Sequence, residues 1–196
     1  MTWSATERYR LEPAPGGLGL VQDLLNTVAA GAPRRPDLLA APADAQAWAD
    51  EALAEWAGTT GRVAPRLVLD AEGLPELRAF RDGLVEAAAR STRGEDDDPS
   101  PVPERTADAA LRLDEDGVVR LEPRGDGWRR VVALVLAEIY EGQQADTGRR
   151  LKACRNPECR VAFYDRSRNN SGVWHDVKKC GNAANLRAYR ARQRER

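Results

Sequence analysis

The stretch CRNPECRVAFYDRSRNNSGVWHDVKKCGN, residues 154–182, holds all three cysteines of the chain and its single histidine. The spacing is Cys154-x4-Cys159, then fifteen residues to His175, then x4 to Cys180. Zinc takes four tetrahedral sulfur or nitrogen ligands, and ligand pairs a few residues apart come from tight knuckles. Pro157 and Gly181 suit such turns, because both favour a bent backbone. The basic neighbours Lys152, Arg155, Lys178 and Lys179 are expected to favour the thiolates. Three cysteines confined to one segment do not resemble a disulfide framework. A lone buried cysteine is an ordinary core residue and a lone histidine more often packs than ligates; the concentration of four is what points to metal. His175 is the expected fourth ligand, with Asp165, Asp176 or water as the alternatives. A catalytic zinc keeps an open position and a nearby acid or base. Here four protein ligands are at hand and Glu158 sits inside a knuckle, so the expected Zn2+ site is closed and structural.

Downstream, NAANLRAYRARQRER (182–196) reads as a helix with Asn182 as N-cap and a narrow apolar edge of Leu186 and Tyr189. Arg187, Arg190, Arg192, Arg194 and Arg196 cover much of the rest, and Arg168, Asn169 and Asn170 lie in the loop between the ligand pairs. Residues 149–196 carry 14 Lys/Arg against 4 Asp/Glu, a net of +10, whereas residues 1–148 carry 16 against 27, a net of −11. A basic segment joined to an acidic body suggests a polyanionic partner. The bland alternatives are a lopsided solvated surface or a fraying tail. Guanidiniums displayed along a metal-anchored helix suit phosphate contact or major-groove entry. The candidate nucleic-acid residues are therefore Arg168, Lys178, Lys179, Arg187, Arg190, Arg192 and Arg194. Phe163 and Tyr164 are expected to pack against the metal core in preference to stacking on bases.

The acidic body reads as mainly helical. LGLVQDLLNTVAAG (18–31) is too densely apolar to be exposed, and opens as a short strand or directly as a helix. Asp44 is the expected N-cap of a helix carrying Trp48, Ala52, Leu53 and Trp56, stopped by Gly58. Residues 66–70 form a strand or the entry to the next helix. That helix spans Leu74 to Arg90, with Pro75 in its first turn. Ser91 to Arg105 is acidic and proline-rich, the composition of a mobile surface loop. Leu111 and Leu113, then Val119 and Leu121, flank Asp116-Gly117 and predict a β-hairpin. Asp126 caps a helix with Trp128, Val131, Val132, Val135 and Ile139 on one face, expected to be the most buried. The fold class is α+β: a mainly helical N-terminal domain with a hairpin (1–148), then a small zinc-finger module ending in a helix (149–196).

The 42% apolar and 31% charged content is that of a globular chain. No run of 18 apolar residues exists and the N-terminus lacks a secretory pattern, so a cytoplasmic home without membrane contact is expected. Residues 1–148 contain neither His nor Cys, and no Gly-rich phosphate loop or nucleophile–base pair. The expectation is a non-catalytic protein. Asp23, Asn26 and Thr27 form either a polar ligand site or caps and turns of the first element.

The C-x4-C knuckle, AFYDRSRNNS, the Trp174-His175 pair and Cys180-Gly181-Asn182 before an Arg-rich helix together resemble the bacterial CGNR-type zinc finger. In that family the finger follows an N-terminal ABATE domain associated with stress-induced transcription regulation. The opening LGLVQDLLNTVAAG is similar to that domain's, where an Asp and an Asn-Thr pair recur, here Asp23, Asn26 and Thr27. Three departures stand out. His175 replaces the family's third cysteine, Ala183 replaces the Arg after Cys-Gly-Asn, and Gly172-Val173 replaces a basic pair. The resemblance implies a zinc-dependent DNA-binding transcriptional regulator whose first domain senses a small-molecule effector, and dimerisation is expected because one finger gives little affinity. The alternatives are an RNA-binding module, or an interaction module docking on an acidic protein or on its own acidic body.

Overall fold

The computed structural model describes residues 3–31, 33–93 and 104–194. Two small antiparallel hairpins sit among helices, the α+β class expected. After a single turn, α1 (Ser4–Glu7), the stretch at 18–31 is helical from its first residue as α2 (Leu18–Asn26). Every residue of α2 is buried. This helix, and not the one capped by Asp126, is the innermost element. Its leucines meet Trp3, Trp48, Leu77, Val131 and Val135 in one continuous core. Gly17 precedes it because a Cβ there would run into the Glu138 carboxylate.

Helix α3 (Pro42–Thr60) begins two residues before Asp44, with proline in its first turn and Asp44 making no side-chain cap. It runs through Gly58 and ends at Gly61, whose φ of +71° supplies the left-handed C-terminal turn. The segment 66–70 forms neither strand nor helix. The Gln46 side chain pairs its backbone instead, accepting from Leu69 N (2.8 Å) and donating to Leu67 O (3.2 Å). Helix α4 (Leu74–Arg93) runs three residues past Arg90 into the expected loop, and residues 94–103 of that loop lie outside the described residues.

Strands β1 (Ala109–Leu113) and β2 (Val119–Pro123) pair in register Leu111↔Leu121 and Leu113↔Val119. The turn spans Asp114 to Val118 and closes through Asp114 N to Val118 O and Gly117 N to Asp114 O. Its apolar stripe points outward, with Leu111 76%, Leu113 70% and Val119 60% exposed. Helix α5 (Gly127–Gln144) follows with Asp126 at the N-cap position, though the aspartate side chain makes no cap bond.

The chain then crosses a short 3-10 turn (Gly148–Arg150) into β3 (Leu151–Ala153) and β4 (Ala162–Tyr164). These strands lie against α4 and α2. Leu25 of α2 and Val85 of α4 bury Ala162 of β4 between them. A π-helical turn (Val177–Gly181) leads into α6 (Asn182–Arg194). Asp176 caps that turn by accepting from Lys179 N, so the helical entry starts five residues before Asn182, the expected cap. Among the described residues, no helix is long and apolar enough to cross a membrane.

Candidate metal centre and its basic surroundings

The β3–β4 hairpin presents the first ligand pair at its tip. Cys154 N donates to Val161 O (2.8 Å) and Cys159 N to Asn156 O (2.9 Å), closing a knuckle over Pro157 and Glu158. Arg160 completes it in the left-handed region, at φ +58°. The second pair flanks the π turn: Asp176 O accepts from Cys180 N (2.8 Å), which turns Cys180 back toward His175. One ligand atom from each of Cys154, Cys159, His175 and Cys180 lies within 4.8 Å of every other. His175 Nδ1 is 3.3 Å from Cys159 Sγ and 3.7 Å from Cys180 Sγ. Tetrahedral zinc with ordinary bond lengths needs about 3.5 Å between nitrogen and sulfur ligands. The donor set and its dimensions fit structural zinc.

The electrostatics agree. A hydrogen bond from Cys159, joined by His175 and opposed by burial, brings the Cys154 thiol down to about 4. The Cys159 thiol is pushed up by the same Cys154 contact and by burial, and burial raises Cys180. Three thiols so close cannot all ionise without a compensating cation, and a divalent ion supplies that compensation. Around the ligands, Asn156 Nδ2 lies 3.6 Å from Cys180 Sγ, and Asn156 Oδ1 accepts from Arg187 Nη2 (2.8 Å). This outer shell orients the cysteine and seats α6 on the knuckle.

Neither aspartate competes with His175 for the metal. Asp165 is buried and spends its oxygens on Lys152 Nζ (2.8 Å), Ser167 N (2.9 Å) and Gly172 N (2.7 Å). Burial alone would raise its pKa, but these bonds outweigh it and hold the carboxyl below the usual range. Asp176 is the cap of the π turn. Lys152, expected to favour the thiolates, instead directs its ammonium at Asp165 Oδ2, Asn170 O and Gly172 O, all three donors matched. This buried pair organises the loop 165–172, and neither residue signals the pairing in sequence. Gly172 is required there, since a Cβ would come within 2.9 Å of the Asp165 carboxyl.

The candidate nucleic-acid residues divide. Arg168, Lys178, Lys179, Arg190 and Arg192 are exposed. Arg187 is committed to Asn156 and also lies 3.8 Å from Glu158. Arg194 is the last residue of α6, its side chain outside the described atoms; Arg196 is outside the described residues. Asn170 is structural, donating to Arg149 O (3.3 Å) from a backbone at φ +50°. Phe163 is buried and Tyr164 half-buried, with Tyr164 packed against the main core.

The candidate ligand residues Asp23, Asn26 and Thr27 come together, but inside the protein and fully buried. Asp23 accepts from Thr6 N (2.8 Å) and Trp48 Nε1 (2.9 Å). Thr27 donates to Leu24 O (2.6 Å) and accepts from Arg81 Nη1 (3.2 Å). Asn26 bonds both backbone groups of Ala162. Their polar atoms tie elements together and face no solvent. A cleft of about 750 Å3 opens elsewhere in the body, between α3, the β1–β2 hairpin and α5, lined by Trp56, Arg62, Arg112, Arg120, Arg130 and Leu134 among others.

The comparison with curated proteins finds no match to the chain. Residues 150–193 match the family model described as CGNR zinc finger, which begins just before β3 and ends inside α6. With its ligand cluster, knuckle and basic helix, the segment 150–193 is a CGNR-type zinc finger.

Proposed function

We propose that the protein is a zinc-dependent, non-catalytic DNA-binding transcriptional regulator. The observation that carries this reading is the closed four-ligand cluster clamping the base of a helix whose segment has a net charge of +10. A metal with four protein ligands has no position for substrate or activated water. Its chemistry is to fix shape, and the shape it fixes carries exposed Lys178, Lys179, Arg190 and Arg192. Arg190 and Arg194 follow Arg187 at three and seven residues, the helical spacing that continues one side of α6 outward from the knuckle.

In this reading residues 1–148 form the regulatory domain, and the effector's place moves from Asp23, Asn26 and Thr27 to the arginine-lined cleft. Anisotropy titrations of duplex DNA across a salt series test the DNA reading. Binding through phosphates predicts log affinity falling by about 0.9 per contact for each log unit of salt. No binding at low salt contradicts it and favours the protein-interaction reading. That second reading draws on the docking of the finger on its own body, where Arg166 pairs with Glu12 (2.9 Å) and donates to Pro13 O (2.7 Å).

A further inference from the structure

We propose that the phosphate-binding surface is bipartite: Arg10 and Arg35 of the body join Lys179 and His175 of the finger around one basic cleft that seats a backbone phosphate. This inference rests on the nucleic-acid reading above and extends it to a part of the chain outside the finger. The cleft, of about 220 Å3, is lined by Arg8, Tyr9, Arg10, Gly31, Pro33, Arg35, His175, Lys179 and Cys180, with no carboxylate among the described residues of its wall. Such a cluster is unexpected on a body of net −11.

Four observations give the cleft its character. The Arg8 guanidinium donates to the carbonyls of Pro36 (2.9 Å) and Asn26 (2.8 Å) and to the Tyr9 hydroxyl (3.0 Å). These partners are neutral, so its charge is not cancelled and biases the cleft positive. Arg10 and Arg35 are exposed, and neither forms an ion pair with a carboxylate of the described residues. Lys179 is 67% exposed, and its ammonium lies 3.8 Å from Asp176, a loose solvent-facing contact. Finally, the His175 ring, with Nδ1 turned to the thiols, also lines the cleft; zinc ligation through Nδ1 would place its N–H on Nε2. A cysteine at this position offers no such donor, so the departure from the usual ligand adds one.

The two halves are held in fixed relation. Gly31 N donates to Cys159 O (2.9 Å), stitching the body loop to the knuckle. Val28 and Ala30 of that loop share a buried cluster with Cys154, Cys159, Val161 and Cys180. Gly31 stands at φ +85° with a Cβ position only 2.8 Å from the Tyr9 ring, so the loop closes tightly over the residues preceding Arg10. These contacts hold the knuckle and the body loop together beside the cleft.

The test uses the full zinc-loaded chain and a short duplex DNA in an anisotropy salt series. Arg10→Ala with Arg35→Ala is expected to lower affinity and flatten the log–log salt slope by about 0.9, the loss of one phosphate contact. Zinc content stays at one per chain, and Arg10→Lys with Arg35→Lys restores most of the slope. Arg124→Ala, an exposed arginine just past β2 and outside both clefts, leaves the slope unchanged. If the parent binds DNA and the double alanine variant keeps the parent's slope, the inference is overturned while the DNA reading stands. If Arg124→Ala flattens the slope as much per arginine removed, the effect is general charge and the inference is likewise overturned. A parent that binds no DNA at low salt overturns both.

Discussion

Asn26 pairs with Ala162 across 136 residues of sequence: its Nδ2 donates to Ala162 O (3.0 Å) and its Oδ1 accepts from Ala162 N (2.9 Å). A buried amide side chain thus completes the edge of β4 as a neighbouring strand would, and ties the innermost helix to the zinc finger. Asn26→Ala orphans the buried Ala162 N–H and leaves Ala162 O only a long bond from Gln22 Nε2 (3.5 Å). The expected cost is about 3 kcal/mol, since each orphaned buried group costs roughly 1–3. Urea unfolding checks it, and a loss under 1 kcal/mol would mean that β4 finds other partners.

Arg81 is almost fully buried and pairs with Asp37 through two bonds, 2.7 and 2.9 Å. Burial works to raise the Asp37 pKa, but the Arg81 bonds and charge, with Leu39 N, prevail and hold it below the ordinary value. A depressed folded pKa stabilises above the unfolded value of about 3.9 and loses that contribution as pH falls through the folded one. The stability gap between the parent and Asp37→Asn is therefore expected to be about 2 kcal/mol and flat above pH 5, shrinking below pH 4. Urea midpoints for both proteins across pH 3–7 read this out directly. A gap that widens on acidification would contradict the sign.

Gly172→Ala forces a methyl group against the Asp165 carboxyl. The neighbour is the acceptor of the buried Lys152 bond, so it has little freedom to move. A destabilisation of about 2 kcal/mol is expected, in the range for overpacked sites. Amide exchange should quicken in the loop 165–172. A neutral outcome would show that the loop tolerates displacement of Asp165.

His175→Ala removes a ligand, while Asn156→Ala removes only an outer-shell donor. Outer-shell losses typically cost 10–100-fold in metal affinity. Asn156→Ala is expected near tenfold and His175→Ala beyond about 100-fold, with the body's far-UV helicity retained in both. Competition with a zinc chelator measures each. Equal retention by His175→Ala and the parent would remove His175 from the ligand set.

Much of the metal centre was legible because ligation leaves a sparse chemical signature. Four soft or imidazole donors within 27 residues of a chain otherwise free of His and Cys have few other uses. The helices carrying Trp48 and Leu77 were legible for their 3.6-residue periodicity. Pairings between distant polar residues were not. Nothing local distinguishes Asn26 as a surrogate strand, Lys152 as the partner of Asp165, or Arg81 as the partner of Asp37. Each is decided by which elements come together. Helix ends shifted for a related reason: Pro42 and the left-handed Gly61 set the ends of α3, whereas Asp44 and Gly58 carry the same residue-type signals without the geometry. Asp23, Asn26 and Thr27 stood out in sequence as polar residues in an apolar run. Their burial with internal partners shows such residues joining helices inside a core.

The central claim is that three thiolates and the His175 imidazole hold one structural zinc ion. Zinc K-edge absorption on the purified chain, with metal content by mass spectrometry, tests it most directly. The account predicts one zinc per chain with three sulfurs at about 2.3 Å and one nitrogen at about 2.0 Å. A first shell with an added or substituted water oxygen, or a site that holds substantially less than one zinc per chain, would contradict it.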